Sequence, residues 1–488
     1  MRNLYKILAG ILCVLLVSCA KEPHQDPTIT FAIFQAELNE PLTITPTVQH
    51  AGANPSYRWT IDGEVVCEEL SYTFVGTQAG SVYVTFEVFS DQGEARMEIR
   101  IDVCYATGSQ TVLMYMIADN NLWSLQRENI NMAKEAVAAG LPEGVRVLVY
   151  YDGKVTYSQR KTTLSEIVRR NGEAVENVLI DYGTQDSTDP AVMQIVLQDA
   201  ARFAPADTYG ITMAAHGSGW FPPELVDISS QRMPGLFPSA IEHDLRRPDD
   251  ALTRAFGPDG DRYMTVEALA KGLAGSSLDY VVFDACFMSS VETLYALRDV
   301  APYIVASPAE IMGQGMPYQE ILPILTNTKK IYRLEDRLAA AVNSFVSYYE
   351  GEAYPSAALV AVRTDKLPAL AEAVKAVYEV AAEPTVDAIQ PLESLWGPHA
   401  FFDLEDYMYN VTETGDATAQ AAFESFGRAL DEAIVQESHT PRIYSAFGGY
   451  FDAERVCGIS SYIPREELPV TREAWLATEW ARYVYPAQ

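Results

Sequence analysis

Cysteine, histidine and positive charge are all scarce in this chain, and each shortage removes a class of protein. Its 488 residues include six cysteines and six histidines, with no Cys-x-x-Cys and no clustered His/Cys spacing, so nothing reads as a zinc site. Cys13 and Cys19 fall in or beside an N-terminal apolar stretch, which leaves Cys67, Cys104, Cys286 and Cys457. That is too few for a disulfide framework, although Cys67 and Cys104 share the first domain and could pair. Lys and Arg number 35 against 66 Asp and Glu, for a net charge of −31. A chain this acidic lacks the basic patches that neutralise phosphates, which argues against nucleic acid as a partner. It is compatible with basic substrates, though charge of this size also serves solubility. There is no Walker A sequence and no G-x-S-x-G nucleophile elbow, and Gly217-x-Gly219 lacks the third glycine of a dinucleotide fingerprint. No fixed-period repeat and no low-complexity run is present. Beyond Val17 no apolar run is long enough to cross a bilayer. What remains is globular in composition, 48% apolar and 21% charged.

The N-terminal segment carries an address. Arg2 and Lys6 precede an apolar stretch from Ile7 to Val17, followed by Ser18, Cys19 and the polar run Lys21 to Pro27. That is the order of a secretory leader, and the stretch is too short for a spanning helix. Leu16-Val17-Ser18-Cys19 resembles the bacterial lipobox, in which the cysteine becomes the lipidated first residue of the mature protein. An ordinary leader with an incidental cysteine is the other reading. The expected plan is a leader over residues 1–18, a lipid anchor at Cys19, a linker over 19–27, and a place in the cell envelope, at the outer membrane or cell surface.

From Thr28 to about Val103, runs such as Tyr57-Arg58-Trp59-Thr60-Ile61 alternate apolar and polar residues, with Asp62-Gly63 and Asp91-Gln92-Gly93 as turns. This predicts a small all-β sandwich over residues 28–105. The stretch from Tyr57 to Gly63 resembles Ig-like or PKD-like modules, whose role here would be a spacer. Beyond Thr107 the period changes. Strands are predicted at Thr111–Ile117, Val145–Tyr151, before His216, before Cys286 and at Tyr303–Ala306, with helices between them. One helix opens on Asp189-Pro190, using proline where no first-turn N–H is needed. Such alternation predicts an α/β sandwich with a mainly parallel sheet. The expected core spans 106–330, and residues 331–488 add helices and strands near Ala357–Val362 and Gly458–Pro464.

Two of the strands end on reactive groups. Tyr209 to Ala215 leads into His216-Gly217-Ser218-Gly219-Trp220, and Tyr280 to Ala285 leads into Cys286. Open α/β sheets place chemistry at the carboxyl ends of their strands. A thiol and an imidazole delivered there are the parts for nucleophilic acyl transfer. A helix capped by Ser289 or Ser290 would put the thiol near a helix N-terminus, which favours thiolate. The N–H groups of Gly217 and Cys286 could form an oxyanion hole.

These pieces, with Met116 to Leu122, Asp284-Ala285-Cys286-Phe287-Met288, Val291-Glu292, Val305 to Ser307, Gly313 to Tyr318 and Gly458 to Pro464, resemble the clostripain family of caspase-like cysteine peptidases from Thr111 to the C-terminus. The resemblance implies a caspase-like fold and a Cys286–His216 dyad cleaving protein or peptide substrates after Arg or Lys, with Asp284 in the pocket for that basic side chain. A helix-capping carboxylate is the alternative for Asp284. Gln314 stands where some relatives carry an acid, which puts strict arginine specificity in doubt. Relatives are activated by cleavage between the two catalytic strands. Here that interval holds Arg246-Arg247, Arg254 and Arg262, equally readable as an ordinary surface loop. No cofactor is required. Calcium occurs in the family, and Asp249-Asp250 and Asp259-Gly260-Asp261 could supply oxygens, without EF-hand spacing. The competing class is a catalytically inactive surface lipoprotein that uses the scaffold and the β-domain to bind protein or glycan.

Overall fold

The computed structural model describes residues 25–32, 34–156, 158–221, 262–331, 333–353, 355–394, 398–446 and 448–485. The leader, the lipobox with Cys19, the arginines at 246, 247 and 254 and the candidate calcium oxygens therefore lie outside the described residues. Two compact units result. One takes in the chain up to Thr77 together with Ser81–Val103, the other Gln78–Gly80 and everything from Cys104 onward.

The smaller unit is all β. A five-stranded sheet runs in the order Phe34–Glu37, Gly93–Cys104, Gly80–Ser90, Ser56–Ile61, Glu64–Cys67, with two further strand pairs. Trp59 is fully buried against Phe86, ring centroids 4.5 Å apart, and Val84, Val88 and Ile101 complete the core. The Asp62-Gly63 turn has φ of 49° and 84°. Positive φ at both central residues makes the tight hairpin expected from Asp-Gly. Cys67 and Cys104 do not form a disulfide with each other. Cys104 is instead packed into the core of the larger unit.

The larger unit is built on a nine-stranded sheet. Its strands are β1 (Gly108–Ala118), β2 (Val145–Thr156), β3 (Gln159–Arg170), β4 (Glu173–Asp181), β5 (Ala206–Ala214), β6 (Tyr280–Asp284), β7 (Tyr303–Ala306), β8 (Ala358–Arg363) and β9 (Ile434–His439). Their order across the sheet is β4-β3-β2-β1-β5-β6-β7-β8-β9. The sheet is mixed. The five middle strands, β2, β1, β5, β6 and β7, run parallel as expected, while β3 and β4 at one side and β8 and β9 at the other pair antiparallel. The Gly458–Pro464 segment, expected as a strand, contributes only Ser460–Ser461, paired outside this sheet with Phe402–Asp403.

Helices cover both faces. On one, α1 (Trp123–Ala139) packs on the Tyr318–Thr326 helix, which packs in turn on Leu334–Glu350. On the other, α2 (Pro190–Phe203) packs on α3 (Val266–Leu273). Asp189 caps α2, its side chain accepting from the Ala191 N–H, with Pro190 in the first turn. β6 is buried along its whole length, which is why it reads as an unbroken apolar run. From β1 the chain passes by α1 to β2 on one side, while β5 lies against β1 on the other side. The strand order therefore reverses between β1 and β5, and a crevice opens at their carboxyl ends.

Candidate active site

β5 and β6 pair in parallel with Ala214 opposite Asp284. His216 and Cys286 each lie two residues past that pair, so the register delivers them side by side. The loops then interlock. A Cβ on Gly217 would stand 2.3 Å from the Cys286 carbonyl oxygen and 2.8 Å from its nitrogen, and one on Gly219 2.6 Å from the Phe287 carbonyl oxygen. Only glycine allows the histidine loop to lie this close to the cysteine backbone. Phe287, directly after the cysteine, has φ of 61°. A bulky residue held in the left-handed region is strained, and here burial and stacking on Phe401, centroids 4.4 Å apart, hold it.

The segment after β7 lies along the turn that follows Cys286. Phe287 N donates to Ala309 O at 3.1 Å, Ser289 N to Ser307 O at 3.0 Å, and Ile311 N to Cys286 Sγ at 3.1 Å. The thiol is fully buried beneath it. Glu310 pins this segment from the far side, accepting from Ser445 Oγ at 2.6 Å and from the Ala446 N–H. The helix after Cys286 is shorter and farther than the sequence suggests. It is Val291–Ala296, capped by Ser290, whereas Ser289 donates to Gly458 O. Its six residues begin beyond the strained turn, so a helix-terminus effect on the thiol is small.

His216 Nε2 lies 2.7 Å from Asn121 Oδ1. A carbonyl oxygen only accepts, so Nε2 carries the hydrogen. The residues before it divide the work. Asp119 pairs with Arg160 at 2.5 Å, and Asn120 Oδ1 accepts from Leu122 N at 2.9 Å to turn the chain into α1. Asn121 is the site residue that sequence reading passed over: it lay inside a quoted motif, without a role.

Asp284 is placed differently from an open pocket wall. It is fully buried, Oδ1 accepting from Met316 N and Oδ2 from Tyr318 OH, both at 3.1 Å. These donors sit at and just before the start of the Tyr318–Thr326 helix, whose N-terminus has no side-chain cap. Gln314 O accepts from Asn129 Nδ2 at 2.7 Å, which anchors the same loop on α1. Among the described residues no group of three or more His, Cys, Asp or Glu is arranged to hold a metal.

The sequence profile of the clostripain family matches residues 114–233 and 246–475. The chain belongs to the clostripain family. A PKD-like domain profile matches residues 27–90. The chain is similar to a secreted C11 cysteine protease of Bacteroides thetaiotaomicron, iotapain, at 24% identity and a TM-score of 0.64, over 78% of this chain and 100% of that one. It is similar to an inactive zymogen C11 protease of Parabacteroides distasonis at 25% identity and 0.64, over 78% and 99%. A secreted C11 protease of B. thetaiotaomicron in complex with an irreversible peptide inhibitor matches at 24% and 0.63, over 78% and 99%. No curated protein matches the chain. The larger unit thus has the caspase-like fold of C11 cysteine peptidases, preceded by an all-β PKD-like domain.

Proposed function

We propose that the chain is a cysteine endopeptidase in which Cys286 is the nucleophile and His216 its base, cleaving after Arg or Lys. The interlock of Gly217 with the Cys286 backbone carries this reading, because it sets thiol and imidazole loops together at the sheet edge. The imidazole takes the thiol proton and Sγ bonds to the scissile carbonyl carbon. The N–H groups of Gly217 and Cys286 receive the developing oxyanion. The C–N bond then breaks, and the leaving amine takes the proton from His216. Water, deprotonated by the same imidazole, attacks the thioester carbonyl; the C–S bond breaks, the acid product leaves, and Sγ takes the proton back from His216.

Two features bear on when it acts. Cys286 is covered by the Ile311 segment, so substrate entry requires that segment to yield. The similarity to an inactive zymogen supports reading this covered arrangement as a precursor, activated by cleavage among Arg246, Arg247, Arg254 and Arg262. Asp284 ends β6 two residues before the nucleophile and supplies the charge for a basic side chain once the 313–316 loop opens.

The test is turnover of peptides with Arg, Lys or a neutral residue at the cleavage position. Cys286→Ala and His216→Ala should each lower kcat roughly 10⁴-fold or more. Asp284→Asn keeps a hydrogen-bonding side chain of the same size and removes the charge. It should lower kcat/KM for basic peptides about 30- to 300-fold, and much less for neutral ones. More than about a tenth of wild-type activity in either dyad variant would overturn the assignment. A wild-type preference for acidic or apolar residues would overturn the pocket alone.

A further inference from the structure

We propose that the cavity beside His216 is the subsite for the first residue on the leaving-group side of the scissile bond, and that it takes an apolar side chain of Leu, Met or Phe size. This rests on the Cys286–His216 reading and extends it to the far half of the substrate. The cavity is open to solvent on one side. Its walls come from the ends of β5 and β6 and the start of α3, and His216 and Gly217 form the side it shares with the dyad.

Its position follows from its lining. Phe283 and Ala285 line the cavity, whereas Asp284, between them in the chain, bonds to Met316 and Tyr318. β6 ends at Asp284, and Cys286 sits in the turn beyond it, against the Gly217 that also lines the cavity. A substrate whose basic side chain heads for Asp284 therefore passes Cys286 and continues toward the Phe283 side. The imidazole that hands a proton to the leaving amine must touch the first residue beyond the cut. That residue meets the cavity wall.

The chemistry of the lining selects the occupant. The floor is Met213, Leu269 and Phe283, all buried and all apolar. The polar groups stand at the rim and already have partners. Arg262 is held by Asp186 at 2.7 Å, and Thr265 caps α3 by accepting from Ala268 N at 3.2 Å. An acidic or small residue gains nothing from such a floor, whereas burial of a Leu-sized side chain is worth about tenfold or more in kcat/KM.

The experiment uses the full chain, activated by cleavage in the interval between His216 and Cys286, and peptides identical except for Gly, Leu or Asp just after the cut. A peptidyl chloromethyl ketone with the same preceding residues reports the dyad alone, since it carries nothing beyond the cleavage position. Wild type should prefer Leu over Gly and Asp by about tenfold or more. Val266 is half-buried at the start of α3, and Val266→Trp projects into the cavity. It should bring the three peptides within about twofold of one another and leave the rate of Cys286 alkylation within about twofold of wild type. Should that variant fail to fold, Val266→Phe should still cut the Leu preference by about threefold. Equal cleavage of all three peptides with normal alkylation overturns the subsite and leaves the peptidase reading intact. Neither cleavage nor alkylation at Cys286 in wild type overturns both.

Discussion

Asn121 reaches His216 across 95 residues of chain, and what it fixes is the tautomer. With Nε2–H held by an acceptor, Nδ1 is the nitrogen left to exchange a proton with the thiol. Asn121→Ala releases the ring, and a misplacement of about 1 Å at a reacting group costs on the order of 10²-fold in kcat. KM should change little, because Asn121 acts through the imidazole. Asn121→Asp keeps the acceptor and adds a charge that favours imidazolium. It should retain most of the activity while moving the acidic limb of the pH–rate profile upward. A kcat for Asn121→Ala within about twofold of wild type would remove Asn121 from the machinery. His216 and Cys286 were legible in the sequence because each follows an apolar run at the same kind of position. Asn121 was not, because its partner is set by the reversal of strand order between β1 and β5, which no local pattern encodes. Asp284 could be read only as a candidate pocket carboxylate, because its burial depends on Met316 and Tyr318, more than 30 residues onward.

The six-residue helix Val291–Ala296 is too short to hold itself and is tied to the end of the chain by Glu292. Its Oε1 accepts from Tyr462 N at 3.0 Å and from Trp475 Nε1 at 2.8 Å. Burial raises this carboxyl from 4.5 to about 7, with the hydrogen bonds pulling the other way. Between those values the folded form keeps a proton that the unfolded chain gives up. Stability from this group is therefore present at low pH and lost as pH rises from about 4.5 through 7, by about 3 kcal/mol in all. Asp403, also raised by burial to about 7, slopes the same way, so only a comparison of variants isolates Glu292. Glu292→Gln keeps the acceptor and never ionises. Its stability advantage over wild type should grow by roughly 2–3 kcal/mol between about pH 5 and pH 8, read as a divergence of melting temperatures. Parallel curves would show that the carboxyl titrates normally. At this scale the buried parallel strands and long helices were readable from period alone. The edge strands β3 and β4 were not, because half-exposed strands carrying Lys, Arg and Glu read like loops until a neighbour pairs with them.

The chain runs from an N-terminal apolar stretch and Cys19 through a short polar run to a PKD-like domain and a clostripain-family unit, and that unit needs its last segment. Ser460 N donates to Ser289 O at 3.2 Å and Gly458 O accepts from Ser289 Oγ at 2.8 Å, so the chain's end buttresses the turn behind Cys286. Attachment of such a molecule to a membrane would have to come from something other than charge. A net charge of −31 gives anionic lipid headgroups nothing to attract. Among the described residues no helix is long and apolar enough to cross a bilayer. We propose that attachment depends on acyl chains at Cys19, and that the chain is exported in this form. One chain binds only marginally, while two or more anchor stably. The full-length protein should sediment with membranes, resist a high-salt wash that strips electrostatically bound proteins, and partition into detergent. Cys19→Ala should appear in the soluble fraction with its peptidase activity per molecule unchanged, because Cys19 lies outside the peptidase unit. Unchanged sedimentation of that variant, with no lipid mass on the mature N-terminus, would mean that an ordinary leader precedes an incidental cysteine.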